Sequence, residues 1–203
     1  MGEGKLFFKK VFLSPKRVSA SLKRKRPLIF GDTMKNIILT GMPGCGKSTV
    51  GVVLAKTLGM RFVDTDLIIQ QEQHDVLHRL IERYGVKRFE QMEEEALLSV
   101  TDTGNTVIAT GGSAVFCERG MNFLKQTGVC IYLEVGCDEL KRRLSNIRTR
   151  GIAAAKGMTI EDIFAERSPY YEKYADIRIE CTNLHIEDIT ELIARKMGIE
   201  NGI

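Results

Sequence analysis

No run in this 203-residue chain is apolar for long enough to span a membrane. None of its five cysteines (Cys45, Cys117, Cys130, Cys137, Cys181) falls in a CxxC pair. An odd, scattered set of thiols argues against a disulfide framework and against a zinc site, and for reduced thiols in a cytosol. His74 and His78 stand four apart but lack a clear third ligand, so they read as exposed polar positions. With 43% hydrophobic and 28% charged residues, the composition is that of an ordinary soluble globule. At this length one domain is expected, able to bury a core without metal or disulfides.

Acidic residues are scarce at one end only. Residues 1–33 carry nine Lys/Arg against two acidic residues, a balance of +7, which leaves −3 for residues 34–203 out of the total of +4. The first segment reads as a basic, disordered leader, the second as the catalytic domain. Three readings of the leader stay open: upstream sequence with Met34 as the functional start, a targeting segment, or a tail for nucleic acid or anionic membrane. For the core, neither nucleic acid nor membrane is an expected partner.

What is present is a phosphate loop. Residues 41–48 read GMPGCGKS, preceded by the apolar run at 36–39 and followed by a helix-forming stretch. That is the strand, glycine-rich turn and helix which the GxxxxGK[ST] pattern requires. Gly41, Gly44 and Gly46 let backbone N–H groups converge on a phosphate without Cβ obstruction, and the helix N-terminus adds partial positive charge. Cys45 and Thr49 belong to the same nucleotide-binding segment. Lys47 would reach the β- and γ-phosphates, and the Ser48 hydroxyl would coordinate Mg²⁺.

Strand-like runs recur at 36–39, 61–63, 106–109, 129–133 and 177–180. Helical periodicities lie between them, at 76–84, 89–100, 162–174 and 187–197. This alternation predicts a parallel sheet covered on both faces, with ligands beyond the carboxyl ends of the strands. Candidate chemistry does follow strand ends. Asp64-Thr65-Asp66 offers one carboxylate for Mg²⁺ and a second as proton acceptor for an attacking hydroxyl; the bland alternative is a helix cap. Gly111-Gly112 permits close approach of a substrate, or simply makes a tight turn. Residues 144–157, with Arg148 and Arg150 among small residues, suit a mobile lid that brings cations onto phosphates. Arg167 would be a second anion contact at its base.

Taken in order, these motifs resemble the shikimate kinase family within the nucleoside-monophosphate-kinase-like P-loop proteins, over residues 34–203. The resemblance implies an α/β fold: a five-stranded parallel P-loop kinase core, helices on both faces and a mobile lid. It implies ATP-dependent phosphorylation of shikimate in aromatic amino acid biosynthesis by a cytoplasmic monomer, with Mg²⁺ as cofactor. It also implies roles. Asp66 would bind the substrate hydroxyl as base and Asp64 would support Mg²⁺. Arg150 would be the lid arginine at the γ-phosphate, Arg143 would lie near adenine, and Thr182 would belong to the adenine loop. Gly111, Gly112 and Ser113 would form the turn against substrate, and Arg167 would hold its carboxylate.

Two departures stand out. Glu90 occupies the place of an arginine that helps hold the shikimate carboxylate, and Ser113 replaces a third glycine. A unit charge pair at 4 Å is worth about 1 kcal/mol in water and about 4 at an effective dielectric of 20. Reversing its sign swings about 2–8 kcal/mol. With Glu90 lining the acceptor pocket, weak turnover of shikimate is expected. The acceptor is then shikimate in a rearranged pocket or another small hydroxylated metabolite. A third, different reading is a P-loop module that senses nucleotide without an acceptor.

Overall fold

The computed structural model describes residues 29–30, 33–101, 104–144, 152–155 and 157–199. The basic leader lies outside them, apart from a two-residue ladder pairing Ile29–Phe30 with Thr33–Met34. The lid arginines Arg148 and Arg150 also lie outside the described residues.

Five strands form one parallel sheet: β1 (Asn36–Thr40), β2 (Arg61–Asp64), β3 (Thr106–Ala109), β4 (Gly128–Glu134) and β5 (Ile177–Glu180), in the order β2-β3-β1-β4-β5. Every neighbouring pair among them is parallel. The central β1, Asn-Ile-Ile-Leu-Thr, is buried along its whole length. Its near-continuous apolar run is what two covered faces demand. The edge strand β5 is exposed at alternate positions. Since β1 is flanked by β3 on one side and β4 on the other, its carboxyl end opens into the crevice where such sheets bind ligands.

Helix α1 (Lys47–Leu58) leaves that end of β1. It starts after Gly46 and stops at Gly59, both left-handed; the Gly59 N–H bonds the Ala55 and Lys56 carbonyls. Within it, Gly51 lies so close to Phe62 that any side chain would overlap the ring. Helix α2 (Thr65–Gln73) begins directly after β2. The two apolar patterns at 76–84 and 89–100 join as α3 (Leu77–Ser99), broken at Gly85, whose φ of 76° and ψ of 167° are not helical. That kink turns Phe89, Met92 and Ala96 onto Ile69, Leu80 and Ala153, forming a small second core beside the main one.

A 3₁₀ turn (Ala114–Phe116) and helices α4 (Glu118–Thr127) and α5 (Cys137–Arg143) have no counterpart in the sequence reading. Both helices are short and largely polar: α4 buries only Gly120, Met121 and Leu124, and α5 only Leu140. Helices α6 (Ile160–Tyr174) and α7 (Ile186–Lys196) match their periodicities. Among the described residues, no helix is long and apolar enough to cross a membrane.

Candidate active site

A cavity of about 580 Å³ opens at the carboxyl end of β1. One wall is the phosphate loop: Pro43, Gly44, Gly46, Lys47, Ser48 and Thr49 line it. Gly41, Gly44 and Gly46 have φ of 144°, 80° and 101°, a region that glycine alone enters without strain. The loop also needs their lack of side chains. A Cβ at Gly41 would strike the Leu133 carbonyl, and one at Gly44 would strike Leu144. Lys47 is buried and folds back over the loop, donating to the carbonyls of Gly41 at 2.8 Å and Met42 at 3.1 Å. Ser48 and Thr49 are exposed at the start of α1. Cys45 is buried behind the loop, its N–H bonded to the Met42 carbonyl. It shapes the loop and does not line the cavity.

Asp64 and Asp66 divide along the lines that their positions suggest. The Asp64 carboxylate accepts the Asp66 N–H at 3.0 Å and so caps α2. The bland reading of that residue is therefore realised, and it does not exclude the other. A second cavity of about 370 Å³ is lined by Ser48, Asp64 and Asp66. Asp66 lines both cavities. Burial, then the neighbouring Asp64, push its carboxyl up to about 6, while Lys47 pulls it down. A carboxylate tuned toward neutrality beside a phosphate loop is placed to accept a hydroxyl proton.

The opposite wall is built from Phe89, Glu93, Thr110, Gly112, Ser113 and Arg167. Thr65 holds the turn by accepting the Gly111 N–H at 3.1 Å. Gly111 itself stands behind this wall, where a Cβ would collide with Glu93 Oε1 and with Asp66 Oδ1. A Cβ at Gly112 would press on Pro43 and the Arg167 guanidinium. Tyr171 donates to the Gly112 carbonyl at 2.5 Å, pinning the turn to α6. Arg167, one turn earlier on α6, is 1% exposed. It bonds the Ala153 carbonyl and lies 5.6 Å from the Phe116 ring centre. Its Nε and Nη1 are buried without a partner.

Glu93 was not singled out from the sequence. It is 2% exposed on the apolar stripe of α3, and that was the available signal: a glutamate within a helical run of core positions needs a reason to be buried. The Ser113 hydroxyl hydrogen-bonds its carboxyl, yet Oε2 is buried with no partner. Burial pushes this group up to about 8; the Ser113 bond and Arg167 act the other way, while Asp66 and Glu90 reinforce it. Glu90 is half-buried and close to Glu93, but the cavity is lined by Phe89 and Glu93, not by Glu90. Its carbonyl accepts the Cys117 thiol at 3.4 Å.

Of the two residues assigned to adenine, Arg143 lines the cavity and its Nε donates to Glu139 at 2.8 Å. Thr182 does not line it. Its hydroxyl accepts the Gly136 N–H at 3.0 Å, tying the segment after β5 to the start of α5.

The raised Glu93 carboxyl has a consequence for stability. From its ordinary 4.5 to about 8, the unfolded chain releases this proton while the folded one keeps it. Stability is thus full below about pH 4.5 and falls as pH rises toward 8. Glu93→Gln should flatten that fall by about 2–4 kcal/mol, read from urea unfolding at pH 5 and pH 8.5. Parallel curves for the two proteins would mean that Glu93 is already ionised in the folded chain.

The shikimate kinase family model matches residues 43–197. Shikimate kinase of Geobacter sulfurreducens is 35% identical over 162 residues, covering 79% of this chain and 89% of that protein. That of a Synechococcus species is 36% identical over 165 residues, covering 80% and 84%. Among solved structures, shikimate kinase from Acinetobacter baumannii in complex with shikimate superposes with a TM-score of 0.76. The two are 29% identical, with 82% of this chain and 94% of that one covered. Deoxyadenosine kinase from M. mycoides, at 18% identity and a TM-score of 0.51, shares the fold.

Proposed function

The chain belongs to the shikimate kinase family, and we propose that it transfers the γ-phosphoryl group of ATP to a hydroxyl of shikimate, forming shikimate 3-phosphate in aromatic amino acid biosynthesis. The observation that carries this reading is a single cavity with a phosphate loop on one wall, an unpaired buried guanidinium on the other, and Asp66 between. The alternative of a nucleotide sensor without an acceptor is set aside, because a family of kinases and an acceptor wall coincide in one chain.

The chemistry follows from the placement. ATP lies with its phosphates on the N–H groups of the loop, and Lys47 turns from the Gly41 and Met42 carbonyls toward the β- and γ-oxygens. Shikimate places its carboxylate on Arg167, whose free Nε and Nη1 offer two donors. Asp66 accepts the proton of the attacking hydroxyl as its oxygen closes on the γ-phosphorus. Arg143 serves the adenine end, and Arg150, outside the described residues, is assigned to the transferring phosphoryl.

Ser48 and Asp64 fit Mg²⁺: both offer oxygen, the donor that this hard cation prefers, and Asp64 uses only Oδ1 in capping α2. When bound with ATP, Mg²⁺ neutralises charge on the β- and γ-phosphates. The cavity is completed by one chain, which supports action as a monomer. All five cysteines are free thiols, which supports a reducing, cytoplasmic setting.

The test is shikimate-dependent ADP release by the purified chain, with the phosphate ester identified by mass. Glu90→Arg then probes the altered position. It should lower KM for shikimate about 10-fold, worth about 1.4 kcal/mol, with kcat little changed. An unchanged KM would place the side chain at position 90 out of reach of the acceptor carboxylate.

A further inference from the structure

Glu93 and Arg167 present a contradiction that an empty cavity does not resolve. Each is almost wholly buried and each lines the same cavity. Opposite charges so placed ordinarily pair, because an unpaired buried charge is costly. Here no ion pair joins them. Arg167 keeps two buried donors without a partner, and Glu93 keeps one buried acceptor. Such a wall is complete only when something between the two residues satisfies both.

The chemistry of that missing group can be read from the charges. Arg167 asks for an anion. Glu93 asks for a donor, and its neighbourhood asks for a positive one. Asp66 and Glu90 both bear on Glu93 electrostatically, and Arg167 is the one cation found opposing them there. Oxygens of Glu93 and Asp66 converge on the single point that a Gly111 side chain would fill. The Ser113 hydroxyl already serves Glu93, so its remaining oxygen is what faces the ligand. A neutral hydroxyl would satisfy the hydrogen bond and leave the excess negative charge uncompensated. An ammonium would do both.

We propose that the acceptor site also takes a hydroxylated amino acid, with its carboxylate on Arg167, its ammonium on Glu93 and its hydroxyl on Asp66, and that the hydroxyl is phosphorylated there. This rests on the phosphoryl transfer proposed above and widens its acceptor class. The hydroxyl oxygen bonds to the γ-phosphorus, the bond from that phosphorus to the β–γ bridging oxygen breaks, and the hydroxyl proton passes to Asp66. The products are ADP, an O-phospho amino acid and one proton. The ammonium takes no part in bond making.

The experiment uses the full chain with ATP and Mg²⁺. L-Serine, L-threonine, L-homoserine and trans-4-hydroxy-L-proline are each offered beside shikimate, and phosphate esters are identified by phosphorus NMR and mass. The matched acids lacking nitrogen (3-hydroxypropionate, 3-hydroxybutyrate and 4-hydroxybutyrate) are the controls for the first three. At least one amino acid should be phosphorylated with kcat/KM no lower than that for shikimate. Removing its nitrogen, or for hydroxyproline exchanging the ring NH for CH₂, should cost at least 10-fold. Glu93→Gln should lower kcat/KM for the amino acid 10-fold or more, chiefly through KM, and affect shikimate much less.

Turnover of shikimate with none of the amino acids overturns this inference and leaves the shikimate reading standing. Turnover of an amino acid without shikimate does the reverse. Equal use of aminated and deaminated acceptors overturns it on the unmodified protein, whatever becomes of the variant. An equal loss for both acceptor classes in Glu93→Gln reduces Glu93 to a structural role and overturns it as well. Turnover of no acceptor at all removes both readings.

Discussion

Asp66→Asn should keep its ATP and acceptor affinity and lose kcat by about 10²–10⁴-fold, the usual worth of a positioned general base. The substitution is nearly isosteric, and the backbone N–H of residue 66 still donates to Asp64, so the cap on α2 survives. What disappears is the group that accepts the hydroxyl proton. The wild type should report the same group through pH: with its carboxyl near 6, kcat/KM falls tenfold per unit on the acid side of about pH 6, where the base is protonated. The variant's residual rate should lack that limb. Asp64→Asn should behave differently, raising the Mg²⁺ concentration needed for half-maximal rate. Indistinguishable pH and Mg²⁺ profiles for the two variants would dissolve the division of labour between them.

The difference between these two aspartates shows what a sequence exposes and what it hides. The phosphate loop, the strand ends and the parallel sheet were legible because each is a local pattern, with glycines and apolar runs at fixed spacing. Asp64 and Asp66 were legible as a pair for the same reason. Glu93 was hidden within the very pattern that identified its helix. A period of 3.6 places a residue on the buried face but does not say which cavity that face meets, and this one is set by the kink at Gly85 and by α6 packing across it. Glu90 illustrates the converse. Its place in the order of motifs suggested a cavity wall, yet the wall falls to Phe89 and Glu93, one residue before and three after. Helices α4 and α5 escaped because each buries too few residues to establish a period. Thr182 is a further case: its hydroxyl is taken up in a hydrogen bond between loops, a long-range pairing that no local pattern displays.

Lys47→Ala should abolish measurable phosphoryl transfer, with a loss of at least about 10²–10³-fold, the scale for removing one preorganised donor from developing charge. The fold should persist. The carbonyls of Gly41 and Met42 that Lys47 now serves lie beside an open cavity where water can replace the ammonium. A second consequence separates this residue from a mere phosphate tether. Lys47 lowers the Asp66 carboxyl against the burial and the Asp64 charge that raise it. Removing the ammonium should therefore let Asp66 climb above 6, and the acid limb of any residual activity should move to higher pH. ATP affinity, residual kcat against pH, and thermal unfolding of the same preparation test all three statements together. Lost activity with an unmoved limb would mean that Lys47 acts on the nucleotide alone. Near-wild-type turnover would remove the phosphate loop from the reaction, and with it the assignment of this cavity as the place where phosphoryl transfer occurs.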